Sequence, residues 1–528
     1  MGYASYKYLL IFLGSVLFFY TVMPRRFKWT VLLAASYGFY WISSGRLAVF
    51  LIAATTAVYL GGILLDKIGQ TAALGKKGLE KEEKKQLKSL ISFQKKAVTA
   101  LTICIIFGML LVIKYSGFFA NLFNRAAAFS GVDISLPVLN FVMPLGISYY
   151  TLQAAGYLID VYRGKYRASY NFGKVALFLS FFPQIVQGPI GRFDRLADPL
   201  YEGHRFSYEN VTAGLQLICW GLFKKMVIAD RLNIFVADVF GNYTERSGSL
   251  ILAAGVLYTL QIYAEFSACM DIVTGSAQLF SVPLDKNFER PFFSKSVSEF
   301  WRRWHITLGA WLKDYVFYPL SFSPAFMGLG RFTKKHFGEY AGSMVPATLA
   351  LFFTWALIGF WHGAGLRFIV YGMYYYAFMV AGMWLEPLIA RAFSVSRINR
   401  DCLPLNIIRM FRTAAIVVGG MMLFRAGSVT EWTEMIRRIF TDFGSSEFMQ
   451  AVVGCGMDIH DFYIVGIGAA AMLAVSILQE KGINIRESVA RQYLPVRWAA
   501  YAGLILAIVV FGAYGTGYDA VDFIYAQF

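Results

Sequence analysis

SMVPATLALFFTWALIGFWHGAG, Ser343–Gly365, decides the fold. From Ser343 to Trp361 it carries no charged residue, and a run of about 19 apolar residues crosses roughly 30 Å of hydrocarbon as a helix. It then reaches His362, set between Trp361 and the glycines Gly363 and Gly365. An ionisable group at membrane depth is costly to keep, so it reads as functional. Neutral imidazole accepts a proton near pH 7, which suits general-base work. The glycines thin the wall beside it and let a substrate come close.

Working outward, apolar runs recur along the chain at about Tyr8–Val22, Trp29–Ser43, Leu47–Leu65, Ala97–Ile113, Val138–Ile159, Phe172–Ile190, Val211–Ala229, Leu250–Met270, Arg367–Leu385, Ile407–Phe424, Phe462–Leu478 and Trp498–Ala513. Hydrophobic residues make up 57% of the chain and charged ones 15%, where a soluble domain is nearer a quarter charged. The runs are continuous, not alternating, which excludes a β-barrel. The reading is an all-α polytopic membrane protein, a single domain over 1–528 with about 11–13 spans. Tyr8–Val22 lacks a small-residue cleavage motif after it and reads as the first span. Phe118–Phe129 is short and amphipathic and reads as an interfacial segment.

The net charge of +17 belongs to loops near anionic headgroups. With no basic soluble domain, nucleic acid is not a partner; the lipid bilayer is. Between Asp66 and Lys96 stand nine Lys against one Asp and three Glu, and Pro24–Lys28 is basic too. The positive-inside rule puts both stretches in the cytoplasm and the N-terminus outside. The five cysteines are scattered without a CxxC, so neither a disulfide framework nor a zinc site is expected.

A second histidine closes Trp301-Arg302-Arg303-Trp304-His305. Ser296 and Glu299 form a capping box. From there Trp301, Trp304, His305, Leu308, Trp311, Leu312 and Tyr315 recur at steps of three and four, the mark of one face of one helix. His305 falls on that aromatic face and Arg302 and Arg303 largely off it. The two histidines lie 57 residues apart, with no acidic neighbour at ligand spacing, so no metal is expected. Glu265 and Asp271 lie at or near membrane depth, where they form an ion pair with Arg302 or Arg303, or orient a histidine. Phe181–Arg192 holds Pro183, Pro189, Gln184, Gln187 and Gly188. Broken backbone of this kind is tolerated only where it is buried in protein or lines a cavity.

FWRRWHITLGAWLKDYVFYPL at Phe300–Leu320 and GFWHGAG at Gly359–Gly365 resemble the membrane-bound O-acyltransferase family. So do PLGISYYTLQAAGYLIDVYRG at Pro144–Gly164, FFPQIVQGPIGRF at Phe181–Phe193 and the Tyr263–Gly275 stretch. The likeness covers about Tyr8 to Arg425. It is strongest to the bacterial branch that includes an alginate O-acetyltransferase membrane subunit and the teichoic acid D-alanyl transfer protein. The resemblance implies a helical bundle with re-entrant or broken helices and a central tunnel. It implies catalytic roles for His362 and His305, and an acyl thioester co-substrate, acetyl-CoA or an acyl carrier protein, entering from the cytoplasm of a bacterial cell with no cofactor bound. It further implies a partner of the SGNH acyltransferase type outside the plasma membrane. Trp301, Arg302, Arg303, Trp304, Trp361, Glu265 and Gln187 are the expected substrate-binding residues, with the two arginines near the donor's phosphate-bearing arm. The last six residues, FIYAQF, look like a tail whose tyrosine, here Tyr525, accepts the acyl group and hands it on.

The residues agree with acyl transfer: a base for a hydroxyl, a polar group for the oxyanion and a dry wall against hydrolysis. The acyl group expected is acetyl, bound for a cell-wall or secreted polysaccharide; the alternative is D-alanyl bound for teichoic acid. A different class, a secondary transporter or flippase, shares broken helices and buried charge, but the chain has no inverted repeat.

Overall fold

The structure, a computed structural model, describes residues 1–74, 80–139, 141–444, 448–514 and 523. It is 79% helical. Among the described residues there is no strand, only one bridged pair, Phe288 with Trp304. Nine segments there are long and apolar enough to cross a membrane. The first of these, Arg25–Thr71, holds two helices turned at Gly45, whose φ of 54° lies in the region that favours glycine. This is an all-α polytopic membrane protein. The chain forms two compact units, residues 1–214 with 273–285 and residues 215–272 with 286–528.

The first unit contains α1 (Leu13–Val22), α2 (Lys28–Ser44), α3 (Ala48–Leu74), α4 (Lys81–Phe129), α5 (Ile147–Arg163), α6 (Phe172–Ser180), α7 (Phe193–Tyr201) and the start of α8 (Tyr208–Leu222). α4 is one helix of 49 residues, opened by a capping box between Glu80 and Glu83. It corrects the division into a basic loop, a span and an interfacial Phe118–Phe129. Lys114, Ser116 and Gly117 interrupt the apolar run, but each costs a helix only about 1 kcal/mol or less.

Two further expected spans, Val138–Ile159 and Phe172–Ile190, are instead short pieces. α5 runs between left-handed glycines, Gly146 and Gly164, and is buried along most of its length. α6 stops at Ser180, and Phe181–Ile190 continues without helix, wholly buried. Prolines at 183 and 189 forbid the helical ladder there. Side chains replace it: Tyr3 donates to the Phe182 carbonyl at 2.7 Å, and the Phe182 N–H donates to Ser36 Oγ at 3.1 Å. A Cβ on Gly146 would lie 1.8 Å from the Ile185 carbonyl oxygen, so the turn rests on the bare start of α5. The broken backbone is therefore buried in protein; a small open cleft touches its end at Gln184, Pro189, Gly191 and Arg192.

The second unit takes α8 through a π-helical turn, Phe223–Ala229, into α9 (Asp230–Gly241), then α10 (Gly248–Gln278), whose last turns belong to the first unit. Next come short helices α11 (Val297–Arg303), α12 (Ile306–Leu312) and α13 (Tyr318–Ser321), and the long pair α14 (Pro324–His362), kinked at Gly338 where φ is 86°, and α15 (Leu366–Ser396). α16 (Leu403–Arg425), α17 (Val429–Thr441), α18 (Phe448–Val453), α19 (Ile459–Glu480), α20 (Ile485–Ala490) and α21 (Leu494–Phe511) complete it. α14 and α15 approach backbone to backbone. A Cβ on Gly359 would lie 2.3 Å from the Phe368 carbonyl oxygen, and one on Gly372 2.3 Å from that of Trp355. Small residues allow this closeness between membrane helices.

Candidate active site

The periodic stretch around His305 is not one helix. α11 ends at Arg303 and α12 begins at Ile306, with His305 between them in the left-handed region at φ 48°. The segment before α11 causes the break. The Glu289 N–H donates to the Arg303 carbonyl at 2.9 Å and the Ile306 N–H to the Asn287 carbonyl at 3.0 Å. These bonds take groups that a continuous helix would pair internally. They offset the roughly 1–3 kcal/mol that a left-handed non-glycine residue costs.

The same segment reaches the imidazole. Asn287 Oδ1 lies 3.1 Å from His305 Nδ1 and accepts from the Thr307 N–H at 3.1 Å and the Thr307 hydroxyl at 2.9 Å. Its amide nitrogen points to Met270 Sδ at 3.1 Å. Phe266 of α10 stands edge-on to the His305 ring, 5.0 Å between centroids.

His362 ends α14 and is held by rings: Trp361 at 5.0 Å, Phe424 of α16 at 5.4 Å and Tyr371 of α15 at 5.5 Å. Trp361 also lies 5.9 Å from His305. One indole thus touches both imidazoles, each at most 5% exposed. Tyr371 in turn meets Trp301 at 6.4 Å, which packs on Tyr375 and Trp355 at 4.8 and 5.1 Å. The structure so joins His305, Trp361, His362 and Trp301 through contiguous aromatic surface. Trp304 lies further out, stacked on Phe300 and edge-on to Phe288.

The charged candidates fall elsewhere. Arg302 is exposed. Arg303 pairs with Glu299 one turn before it at 2.9 Å and with Glu480 at 3.2 Å; Glu480 also pairs with Arg290. Glu265 pairs with Lys225 at 3.0 Å, not with an arginine, and Lys225 bonds Asp230 at 2.7 Å. Lys224 takes Asp271 at 2.8 Å and Ser267 Oγ at 2.7 Å. Sequence reasoning passed over Lys224 and Lys225. Their signal was present: two adjacent lysines inside an apolar run demand partners. Asn287 was also missed, because it lies in a non-periodic stretch whose charged neighbours, Asp285, Lys286 and Glu289, read as an ordinary polar loop. Gln187 is buried in the Phe181–Ile190 turn of the first unit. Tyr525 lies outside the described residues. Phe523 is described: it is buried, and Lys225 Nζ lies 4.9 Å from its ring centre. Among the described residues no three His, Cys, Asp or Glu side chains cluster as metal ligands would.

Two buried imidazoles sharing one indole, walled by aromatics, can accept a proton and hold polar contacts where water is scarce. That combination serves transfer of a group that water would otherwise hydrolyse. The membrane-bound O-acyltransferase family model matches residues 163–328, which hold Glu265, Asn287 and His305. A probable alginate O-acetylase, AlgI, of Pseudomonas syringae pv. tomato is 31% identical over 454 residues, covering 85% of this chain and 78% of its own. The peptidoglycan O-acetyltransferase of Helicobacter pylori is 32% identical, covering 49% of this chain and 50% of its own. The teichoic acid D-alanyltransferase of Bacillus subtilis is 27% identical over 47% of this chain and 61% of its own.

Proposed function

The chain belongs to the membrane-bound O-acyltransferase family, and from that premise we propose that it moves acetyl from a cytoplasmic thioester, acetyl-CoA or an acyl carrier protein, toward hydroxyls of a cell-surface polysaccharide. The enzyme class, a membrane acyltransferase, follows from the family. The acetyl group is supported by likeness to O-acetylases over 85% of the chain, against 47% for the D-alanyl relative. The observation that carries the assignment of the site is the indole of Trp361 touching both His305 and His362.

In the proposed reaction one imidazole takes the proton of an acceptor hydroxyl. The oxygen attacks the thioester carbonyl, the C–S bond breaks as the tetrahedral oxyanion collapses, and the proton passes to the leaving thiolate. The aromatic wall keeps water from competing. Trp301 and Trp361 line the path of the acyl group, with Trp304 behind them; Arg302 at the surface is the cation available to the donor's phosphates. Glu265 acts through the ion pair that it makes with Lys225. We place the first acceptor at Tyr525. Its support is the family-like tail and the seating of Phe523 on Lys225. A phenol with pKa near 10 makes an ester more reactive than an alkyl ester, so a partner of the SGNH type outside the plasma membrane can take the group onward. The N-terminus faces that outer side in this arrangement.

The test is the ester content of the envelope in a deletion strain complemented with wild-type or Tyr525→Phe protein. Loss of glycan O-acetyl in the deletion, and its absence with Tyr525→Phe at normal protein abundance, are the expected results. Loss of D-alanine alone would replace the acetyl reading. Normal acetylation by Tyr525→Phe would remove the relay.

A further inference from the structure

We infer that Asn287 is a positioning residue of the acyl-transfer site, fixing the tautomer of His305 so that Nε2 is the nitrogen that accepts the hydroxyl proton. The inference rests on the proposed acyl-transfer reading for its chemistry, and on hydrogen-bond geometry alone for the tautomer.

The geometry closes without a choice. The two ends of a side-chain amide are assigned from the bonds they make. Here the assignment is forced, because the Thr307 backbone N–H can only donate and it points at Asn287 Oδ1 from 3.1 Å. That atom is therefore the carbonyl oxygen. An amide oxygen can only accept, so the ring nitrogen 3.1 Å away, His305 Nδ1, carries a hydrogen. In neutral imidazole the other nitrogen, Nε2, then holds the lone pair.

The backbone supports the same end. Asn287 holds the His305 region three ways: its carbonyl accepts from Ile306, and its side-chain oxygen accepts from Thr307 and His305. His305 itself is locked at φ 48°, and Asn287 is 3% exposed. Turning the ring over would cost Nδ1–H its bond to Asn287 Oδ1. Burial also holds the His305 pKa well below its ordinary value, which keeps the ring neutral.

The proton balance follows. The acceptor O–H bond breaks and its proton goes to Nε2, giving an imidazolium whose Nδ1–H still donates to Asn287. The proton leaves Nε2 for the thiolate freed when the C–S bond breaks, and the neutral ring is restored. A residue with only this job should move kcat and leave KM alone, since it touches no substrate.

Titratable groups on the elements packed around His305 are Glu265 and Asp271 on α10, each paired with a lysine, Lys286 and Glu289 beside Asn287, Arg303 on α11 and His362 on α14. Glu299 and Arg302 also lie on α11, and Nδ1 itself faces the uncharged Asn287 amide. Asn287→Asp would supply a charge there while keeping an acceptor oxygen in place.

The experiment uses the full-length protein in lipid vesicles with acetyl-CoA as the donor probe and an excess of N-acetyltyrosine amide as the hydroxyl acceptor, following thiol release against pH. Asn287→Leu should lower kcat about a hundredfold with KM within about threefold of wild type. Asn287→Asp should restore kcat to within about tenfold. It should also shift the acid limb of the pH profile upward, because a carboxylate stabilises the imidazolium and the base is then lost at higher pH. Nitrogen NMR of histidine-labelled protein, with the His305 signal identified by its loss in His305→Gln, reads the tautomer without any turnover. Protonated Nδ1 in wild type is the expected result. Protonated Nε2, or wild-type kcat in Asn287→Leu, would overturn the inference. So would equal inactivity of the Leu and Asp variants at normal abundance. Silence of the wild type toward acetyl-CoA would count against the donor reading instead, with the NMR result still deciding the tautomer.

Discussion

His305 and His362 share an indole but are held by opposite means. His305 sits at a helix break, in a strained backbone conformation, fixed by hydrogen bonds from a segment 18 residues earlier. His362 sits at the end of α14, in the helix that follows the kink at Gly338, and is fixed by the rings of Trp361, Tyr371 and Phe424. Hydrogen bonds set direction, and ring packing sets position and dryness. A site that needs a proton acceptor aimed at one atom and a wall that excludes water can divide those tasks between two copies of one residue type.

The largest effect should come from removing either imidazole. His362→Ala and His305→Ala should each cut acyl transfer about 10²- to 10⁴-fold, measured as envelope O-acetyl or thiol release, with membrane abundance near wild type. Substantial transfer by either variant would end the division of labour. Next is the buried ion-pair cluster of Lys225. Lys225→Met leaves Glu265 and Asp230 buried without their cation, a change of about 3–5 kcal/mol. Glu265→Gln leaves Lys225 its bond to Asp230 and should cost clearly less. Thermal inactivation midpoints of the two variants check this order, and equal midpoints would break it.

Smaller again is a change on the packed side. A Cβ on Gly363 would fall 2.2 Å from the Phe368 ring, and Phe368 packs on Phe424, which packs on His362. Gly363→Ala should destabilise by about 1–3 kcal/mol and slow transfer several-fold. The smallest effect belongs to Gly309 in α12, where the nearest atom to an added Cβ is 3.7 Å away. Gly309→Ala should stabilise by about 0.5–1 kcal/mol, seen as a slightly higher inactivation midpoint. A loss there would mean the α11–α12 region needs a mobile backbone.

Much of the membrane fold was legible because length and apolarity are local properties. The run ending at Trp361 became α14, and His362 came out at its end. The break at His305 was not legible. Periodicity runs straight through it, and the segment that splits the helix shows no pattern of its own. Val138–Ile159 and Phe172–Ile190 misled for a related reason. Residues buried in protein are as apolar as residues facing lipid, so composition does not tell α5 from a span. Lys224 and Lys225 could have been read with their partners, but Glu265 was matched to the arginines beside His305, which are about as far along the chain as Lys225. The π-helical turn that aims both lysines inward has no sequence signature.

α4 has one further consequence. Its 49 residues at about 1.5 Å each reach about 73 Å, more than twice the roughly 30 Å of hydrocarbon. With the apolar stretch beginning at Ala97, Lys81 stands about 24 Å farther along the axis. Along the bilayer normal, less the roughly 5–7 Å of headgroup layer, that is about two Debye lengths at physiological salt. The first turns of this helix are a mast whose tip is largely screened from the headgroups, unlike the basic residues nearer Ala97. Their lysines, among them Lys85 beside Glu82 at 3.8 Å, are electrically at home in bulk water, and a reporter fixed at the tip would read the aqueous phase and not the lipid.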